Sequence, residues 1–282
     1  MCNIFCNFML FCELYCFYIA VLSNVFNCIY LLHMLKEERQ QFILNEVRVH
    51  NRVLLTDMAD LLKVSMDTIR RDIKELHKEK KLKKVHGGAI SLGFNNYSFQ
   101  FNEVYSLEKK SKIAVKCISL LRNGQVLLLT GGTTNMELAR MLPTNLTLTC
   151  FTPSLPVANQ LMSKPNVEVI FVGGKIAKDA QIAMGAAAVN ILNSIKVDIC
   201  FLGTHSIDLD EGLTEFDWEI VQMKKAMMQA SRKVIAPVIS EKLNTKQRYR
   251  ICDIQHIDML ITELDANDDK LIEFRSKNIE VL

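Results

Sequence analysis

From Leu107 onward the chain alternates between short apolar runs and amphipathic stretches, and this alternation admits few folds. Strands are expected at 125–130, 146–152, 167–172, 197–202, 233–239, 258–263 and 278–282, and helices at 107–121, 134–142, 154–163, 185–195, 217–231 and 266–276. Runs such as Gln125-Val126-Leu127-Leu128-Leu129-Thr130 are too continuously apolar for a strand with one wet face. Strands of that kind belong to a sheet covered by helices on both sides. The expected fold class is therefore α/β, with a mostly parallel sheet covered on both faces in residues 104–282. Sheets of this type take their ligands beyond the carboxyl ends of the strands.

The preceding part of the chain reads differently. A first helix is expected from Lys36 to about Val49 on Phe42, Ile43 and Val47, then a short strand at Val53-Leu54. A helix from Thr56 to Leu62 would turn Met58, Ala59, Leu61 and Leu62 inward. After Lys63-Val64 a second short helix opens on Ser65, and Ile69, Ile73 and Leu76 recur at i, i+4 and i+7 as one apolar stripe. Thr68, Arg70, Arg71 and Lys74 are left to project outward. Two short helices joined by a tight turn, the second cationic, form a helix-turn-helix. Lys80 to Ile90 reads as a hairpin turning at Gly87-Gly88, which would supply a wing.

Charge agrees with that reading. The whole chain carries a net charge of only +3, but Lys63–Lys84 holds nine Lys/Arg against four Asp/Glu. A local excess of this kind favours a polyanionic partner. Taken alone the charge run reads more simply as a solvated helix face; the helix-turn-helix pattern beneath it reverses that in favour of double-stranded DNA. Arg70, Arg71 and Lys74 would contact phosphates, Ser65, Met66 and Thr68 would reach base edges, and His86 and Gly87 in the wing would touch an adjacent groove or the backbone.

Leu61 through Ala89 resembles the DNA-binding signature of the DeoR family of bacterial transcriptional regulators, in Val64-Ser65, Thr68-Ile69-Arg70-Arg71-Asp72 and His86-Gly87-Gly88-Ala89. A weaker resemblance continues to Leu282 and leaves residues 1–33 uncovered. It implies a winged helix-turn-helix at 34–92, a linker at 93–103 and, at 104–282, a sensor domain similar in fold to ribose-5-phosphate isomerase. It also implies a phosphorylated sugar or sugar alcohol as effector. The family's Asp-x-Gly-x-Thr element falls on Thr130-Gly131-Gly132-Thr133-Thr134, with Thr130 in the Asp position. Its Asp-x-x-Lys element falls on Ile239-Ser240-Glu241-Lys242, with Ile239 in the Asp position, and its Ile-Thr-Asp falls on Ile261-Thr262-Glu263. Gly212-Leu213-Thr214 and Lys224 also match.

Read from the residues themselves, Gly131, Gly132, Thr133 and Thr134 at a strand end can cradle a phosphate on a helix N-terminus, or simply cap that helix. No Lys follows the glycines, so this is not a Walker loop. Gly173-Gly174 and Thr152 end neighbouring strands and would either line the same pocket or serve plain turns. Lys242 would bind phosphate as a point charge, or else be an exposed loop lysine.

An enzyme is the alternative: aldose–ketose isomerisation needs a carboxylate base at the sugar carbons. After Phe201-Leu202-Gly203, where related isomerases place acids, this chain has Thr204-His205, and its acids Asp208, Asp210 and Glu211 come later. His205 reads as a solvated loop residue, and a binding pocket without a base is the simpler expectation. The expected protein is a cytoplasmic homo-oligomeric repressor of carbohydrate metabolism, without cofactor or metal. Cys117, Cys150, Cys200 and Cys252 are scattered singly through apolar segments, as in a reduced compartment.

Residues 1–33 contain one charged side chain, Glu13, and five cysteines. Three readings are open: an upstream extension outside the working protein, which is favoured, a membrane-spanning helix, or a signal peptide that lacks a basic start. Only the second would add a membrane to the partners.

Overall fold

The computed structural model describes residues 34–50, 52–92, 104–178, 180–277 and 279–282. The readings made for residues 1–33 and for the linker 93–103 lie outside the described residues. The chain divides into two compact units between Leu92 and Gly93.

The first unit contains α1 (Lys36–His50), β1 (Arg52–Leu54), α2 (Leu55–Leu62), α3 (Met66–Lys78), β2 (Lys83–Val85) and β3 (Gly88–Ile90). Lys63 ends α2 in the left-handed region at φ 52°, and Ser65 starts α3 by accepting the Thr68 N–H at 3.2 Å. The helices therefore part after only three residues. Ile43, Leu44, Val47, Met58, Ala59, Leu62, Ile69, Ile73, Leu76 and Leu82 close one core. Leu61 departs from the expected inward set: it is 47% exposed, because the buried stripe of an eight-residue helix has room for Met58, Ala59 and Leu62 alone. The three strands pair in the order β1-β3-β2, all antiparallel. A Cβ at Gly88 would lie 1.9 Å from the Val53 carbonyl oxygen, so glycine is what lets β3 pair with β1.

The second unit is built on a seven-stranded parallel sheet, in the order β15-β14-β12-β9-β4-β5-β6. Its elements are α4 (Leu107–Ile118), β4 (Val126–Leu129), α5 (Thr133–Met141), β5 (Leu148–Thr152), α6 (Leu155–Met162), β6 (Val167–Phe171), β7 (Lys175–Ala177), β8 (Ile182–Met184), α7 (Ala186–Asn193), β9 (Val197–Phe201), β10 (Ser206–Asp208), β11 (Gly212–Glu215), α8 (Trp218–Gln229), β12 (Ser231–Pro237), β13 (Tyr249–Cys252), β14 (Met259–Ile261), α9 (Ile272–Ser276) and β15 (Glu280–Val281). Alternate strand residues point to opposite faces. Leu127, Leu129, Ile199, Phe201, Ile235, Met259 and Ile261 meet α4, α5 and α6 on one side. Leu128, Cys200, Val234, Ala236 and Leu260 meet α7, α8 and α9 on the other. Both faces are covered, as the apolar runs require.

Three features were not expected. The hairpin β7–β8 folds back over the end of β5, where Ala183 donates to the Pro153 carbonyl at 2.8 Å and Leu155 to that of Gln181 at 3.0 Å. A small antiparallel sheet, β10-β11-β13, stands beside the main one. The expected helix 266–276 shrinks to α9, entered through a 3-10 turn at Asp269–Leu271.

Candidate functional site

In the first unit α3 turns Ile69, Ile73 and Leu76 into the core, so Met66, Arg70, Arg71 and Lys74 stand exposed. Ser65 is also exposed; Thr68 is half-buried, and its hydroxyl lies 2.9 Å from that of Ser65. Arg70 pairs with Asp67 on the same surface. Asp72, flanked by these cations in the chain, faces the other way: it is 2% exposed and holds Arg39 of α1 at 2.5 Å and 3.2 Å. One turn of helix thus carries both the outward charge and the anchor that orients it. The wing turn is His86-Gly87, both exposed, with Gly87 at φ +76° and its carbonyl accepting the Leu55 N–H at 2.8 Å.

In the second unit the strand order reverses between β4 and β9. The chain leaves β4 toward β5 and β6 on one side, and leaves β9 toward β12, β14 and β15 on the other. Such a reversal opens a crevice at the carboxyl edge. The two strand ends are tied together there. Thr130 Oγ1 accepts the Gly203 N–H at 2.8 Å, and the Asn135 amide donates to Thr130 Oγ1 and to the Phe201 carbonyl, each at 2.9 Å. Thr130, standing where Asp was the pattern, still accepts two hydrogen bonds. A Cβ at Gly203 would meet the Gly131 oxygen and Thr130 Oγ1 at 2.9 Å, so the two turns touch through bare backbone.

Gly132 starts α5 at φ +106°, with no side-chain cap among the described residues. The first-turn N–H groups and the partial positive charge of that helix end therefore open at the crevice, next to half-buried Thr134 and buried Thr133. Lys242 lies in the 3-10 turn Ser240–Lys242 after β12 and reaches the Thr204 carbonyl beyond β9 at 2.9 Å. Burial, and then the Lys224 charge, pull its pKa down to about 8. Lys110 is 4% exposed and donates to the Tyr105 carbonyl at 2.5 Å; burial and the nearby Lys242 charge pull it down to about 7. Behind them, Glu215 takes Lys224 at 2.6 Å and His205 Nδ1 at 2.8 Å. Glu215 is fully buried and held below the usual carboxylate range: burial opposes ionisation, but the His205 and Lys224 contacts outweigh it. His205 is correspondingly not a solvated loop residue; it packs on Phe216 with ring centroids 4.4 Å apart, and burial lowers its pKa despite Glu215.

Of the remaining expected residues, Thr152, Gly131 and Gly174 make contacts within the frame. The Thr152 hydroxyl is fully buried and accepts the Ser154 N–H at 3.1 Å within its own turn. Gly174, at φ +151°, lies where a Cβ would meet the Met184 carbonyl oxygen at 2.7 Å, so it seats β8; a Cβ at Gly173 would meet nothing. Gly131 packs under Ile182 of the hairpin. Ile239, in the Asp position of its pattern, cannot cap the turn it precedes; Glu263 does so instead, accepting the Ser240 N–H at 3.0 Å. The sequence reading missed Lys110, Asn135 and Glu215. A signal for Lys110 existed: it lies on the same α4 stripe as Ile113, Ala114 and Cys117, where a lysine is out of place.

Among the described residues no group of three or more His, Cys, Asp or Glu is placed to hold a metal ion, and no helix is long and apolar enough to cross a membrane. Residues 39–93 match the model of a DeoR-like helix-turn-helix domain, and residues 106–264 match that of the DeoR C terminal sensor domain. The chain is 31% identical over 252 residues to the HTH-type transcriptional regulator GlpR of Haloferax volcanii, covering 88% of this chain and 98% of that one. It is 29% identical over 246 residues to the HTH-type transcriptional regulator GolR of Listeria innocua (86% and 97%). It is also 29% identical over 231 residues to the glycerol-3-phosphate regulon repressor of Escherichia coli K12 (82% and 92%). Among solved structures, a ribose 5-phosphate isomerase of Methanocaldococcus jannaschii aligns over 48% of this chain and 53% of its own, at 19% identity and a TM-score of 0.35.

Proposed function

The chain belongs to the DeoR family, whose members are DNA-binding transcriptional regulators rather than enzymes, and on that premise we propose that it is a repressor of a sugar or sugar-alcohol operon whose operator affinity is changed by a phosphorylated sugar or polyol. The observation that carries the effector reading is the convergence of cations at the crevice between β4 and β9. The uncapped start of α5 and the Lys242 ammonium reach the same carboxyl edge, and Lys110 is close enough for the Lys242 charge to lower its pKa. A phosphate monoester satisfies all three at once, since backbone N–H groups at a helix start and a lysine point charge are its usual hosts. The regulon named for the Escherichia coli relative concerns a phosphorylated polyol, which is the same chemistry.

An isomerase would need a carboxylate free to take a proton. Glu215, behind the Thr204-His205 turn, is fully buried and engaged by Lys224 and His205. The turn offers hydrogen bonds to sugar hydroxyls rather than a base.

On the DNA side, Arg71, Lys74 and Arg70 are assigned to phosphates, Ser65, Met66 and Thr68 to base edges at the start of α3, and His86-Gly87 to the wing contact. The working protein is a cytoplasmic homo-oligomer reading paired half-sites, because one helix reads few base pairs and linked heads multiply affinity. A thermal-shift screen of pentose, hexose and polyol phosphates, followed by gel shift with the strongest binder, tests the proposal. Stabilisation by a phosphorylated sugar but not by its unphosphorylated parent, with changed operator affinity, is the expected result. Stabilisation by neither, with operator binding indifferent to both, contradicts it.

A further inference from the structure

The turn that carries Lys242 is fastened at its other residues. Glu241 holds the Lys109 ammonium and lies 3.5 Å from the Tyr105 hydroxyl. Glu263, on the loop after β14, lies 3.3 Å from the same ammonium and takes both the N–H and the hydroxyl of Ser240, at 3.0 Å and 2.5 Å. The Tyr105 carbonyl in turn accepts Lys110. Tyr105 and Lys109 are among the first residues after positions 93–103, which join the two units in the chain. One ionic cluster therefore ties Ser240 and Glu241, the two residues before Lys242 in the effector turn, to the point where the chain enters the sensor.

We infer that Lys109 is a positioning residue that couples occupancy of the effector crevice to the segment leading back to the DNA-binding unit, by bridging Glu241 and Glu263. This rests on the effector site proposed above. The reasoning is mechanical. Ser240, Glu241 and Lys242 form a single 3-10 turn, so they move together. A phosphate that draws Lys242 from the Thr204 carbonyl moves Ser240 and Glu241 together against Glu263, which stays with its own strand loop, and loosens the Ser240–Glu263 bonds. Lys109 is held by both carboxylates and must follow one of them, taking the start of α4 with it. Coupling of this sort is a difference in affinity between two arrangements, not a contact to either ligand. The partly exposed position of Lys109, against the 5% exposed Glu263 side chain, allows such a change without breaking the core.

The test uses the full chain, a duplex selected from random sequence by the protein itself, and a panel of glycerol 3-phosphate, ribose 5-phosphate and glucose 6-phosphate. The panel member that most changes operator affinity serves as the probe. The unmodified protein should change operator affinity by about tenfold or more on saturation, within the usual range of allosteric coupling. Lys109→Met should bind the probe within about threefold of the unmodified protein, and bind operator alone equally well, while the probe's effect on operator affinity falls to about twofold or less. Lys109→Arg should restore most of the effect. If Lys109→Met does not fold, Glu241→Gln serves in its place with the same expectation. A full response in the substituted protein overturns the inference, as does loss of probe binding, which would put Lys109 in the pocket itself. An unmodified protein that responds to no panel member overturns the effector reading as well, and is told apart by failing before any substitution is made.

Discussion

Asp72 lies in a run of charges that reads, residue by residue, as one exposed face, yet it is the buried carboxylate that fixes α3 against α1 through Arg39. Removing one partner of a buried pair leaves the other charge stranded, which costs about 3–5 kcal/mol. Asp72→Ala should lower the stability of the first unit by an amount of that order in urea unfolding, while Asp67→Ala, at an exposed pair, should change it by less than about 1 kcal/mol. Equal effects would show that Asp72 is not an anchor. Glu215 has the same logic in the sensor. Its folded pKa lies below the usual 4.5, so its contribution is fully present above that pH and is lost as pH falls toward the folded value. Glu215→Gln should destabilise the sensor by about 3–5 kcal/mol near neutrality and flatten the acid limb of its stability curve below pH about 4.5. Lys242 gives a prediction of opposite sign. Its ammonium is lost as pH rises through about 8, so effector affinity, which loss of the Lys110 charge begins to lower above about 7, should fall more steeply above about 8, by up to about a further tenfold per unit. Calorimetric titration between pH 6 and 9.5 measures this, and Lys242→Met should give weak binding without the steeper fall above about 8.

At the scale of elements, α3 is the part whose role is most open to direct measurement. Arg71 and Lys74 are exposed while Ile69 and Ile73 face inward. Substituting both with alanine should reduce the slope of log affinity against log salt by about 0.9 for each lost phosphate contact, with the same effect on specific and random duplex. An unchanged slope would remove α3 from the interface. The elements also show what the sequence makes readable. The seven strands of the main sheet and most of their helices were legible because each strand sits in a mostly apolar run between helical stripes, even where the paired strand itself is short, as in β14 and β15. The hairpin β7–β8 and the sheet β10-β11-β13 were not. Their strands are three or four residues long and lie in no comparable run of their own, and Gly174 and Gly212 accept conformations whose need appears only when the neighbouring strand is in place. Leu61 was misread for a related reason: an eight-residue helix gives too few positions to fix which side is buried. In the candidate site, Gly132 was a candidate from its position at a strand end, and Lys242 from the family resemblance. Glu215 and Asn135 were not, because each is defined by partners on another strand, Lys224 and His205 for one, the ends of β4 and β9 for the other.

For the whole molecule, the division between Leu92 and Gly93 separates a unit whose outward charge suits a duplex from one whose inward cations suit a small anion. Neither unit alone regulates anything; regulation requires that the anion's binding energy differ between states of different operator affinity. The account thus stands on the linkage of two equilibria, which is reciprocal and measurable from either side. Operator affinity of the full-length protein, titrated at fixed salt with and without a saturating phosphorylated sugar and its unphosphorylated parent, tests it most directly. The account predicts a change of about tenfold with the phosphorylated compound, none with the parent sugar, and none with either in Lys242→Met. An operator affinity left unchanged by the phosphorylated compound would contradict it.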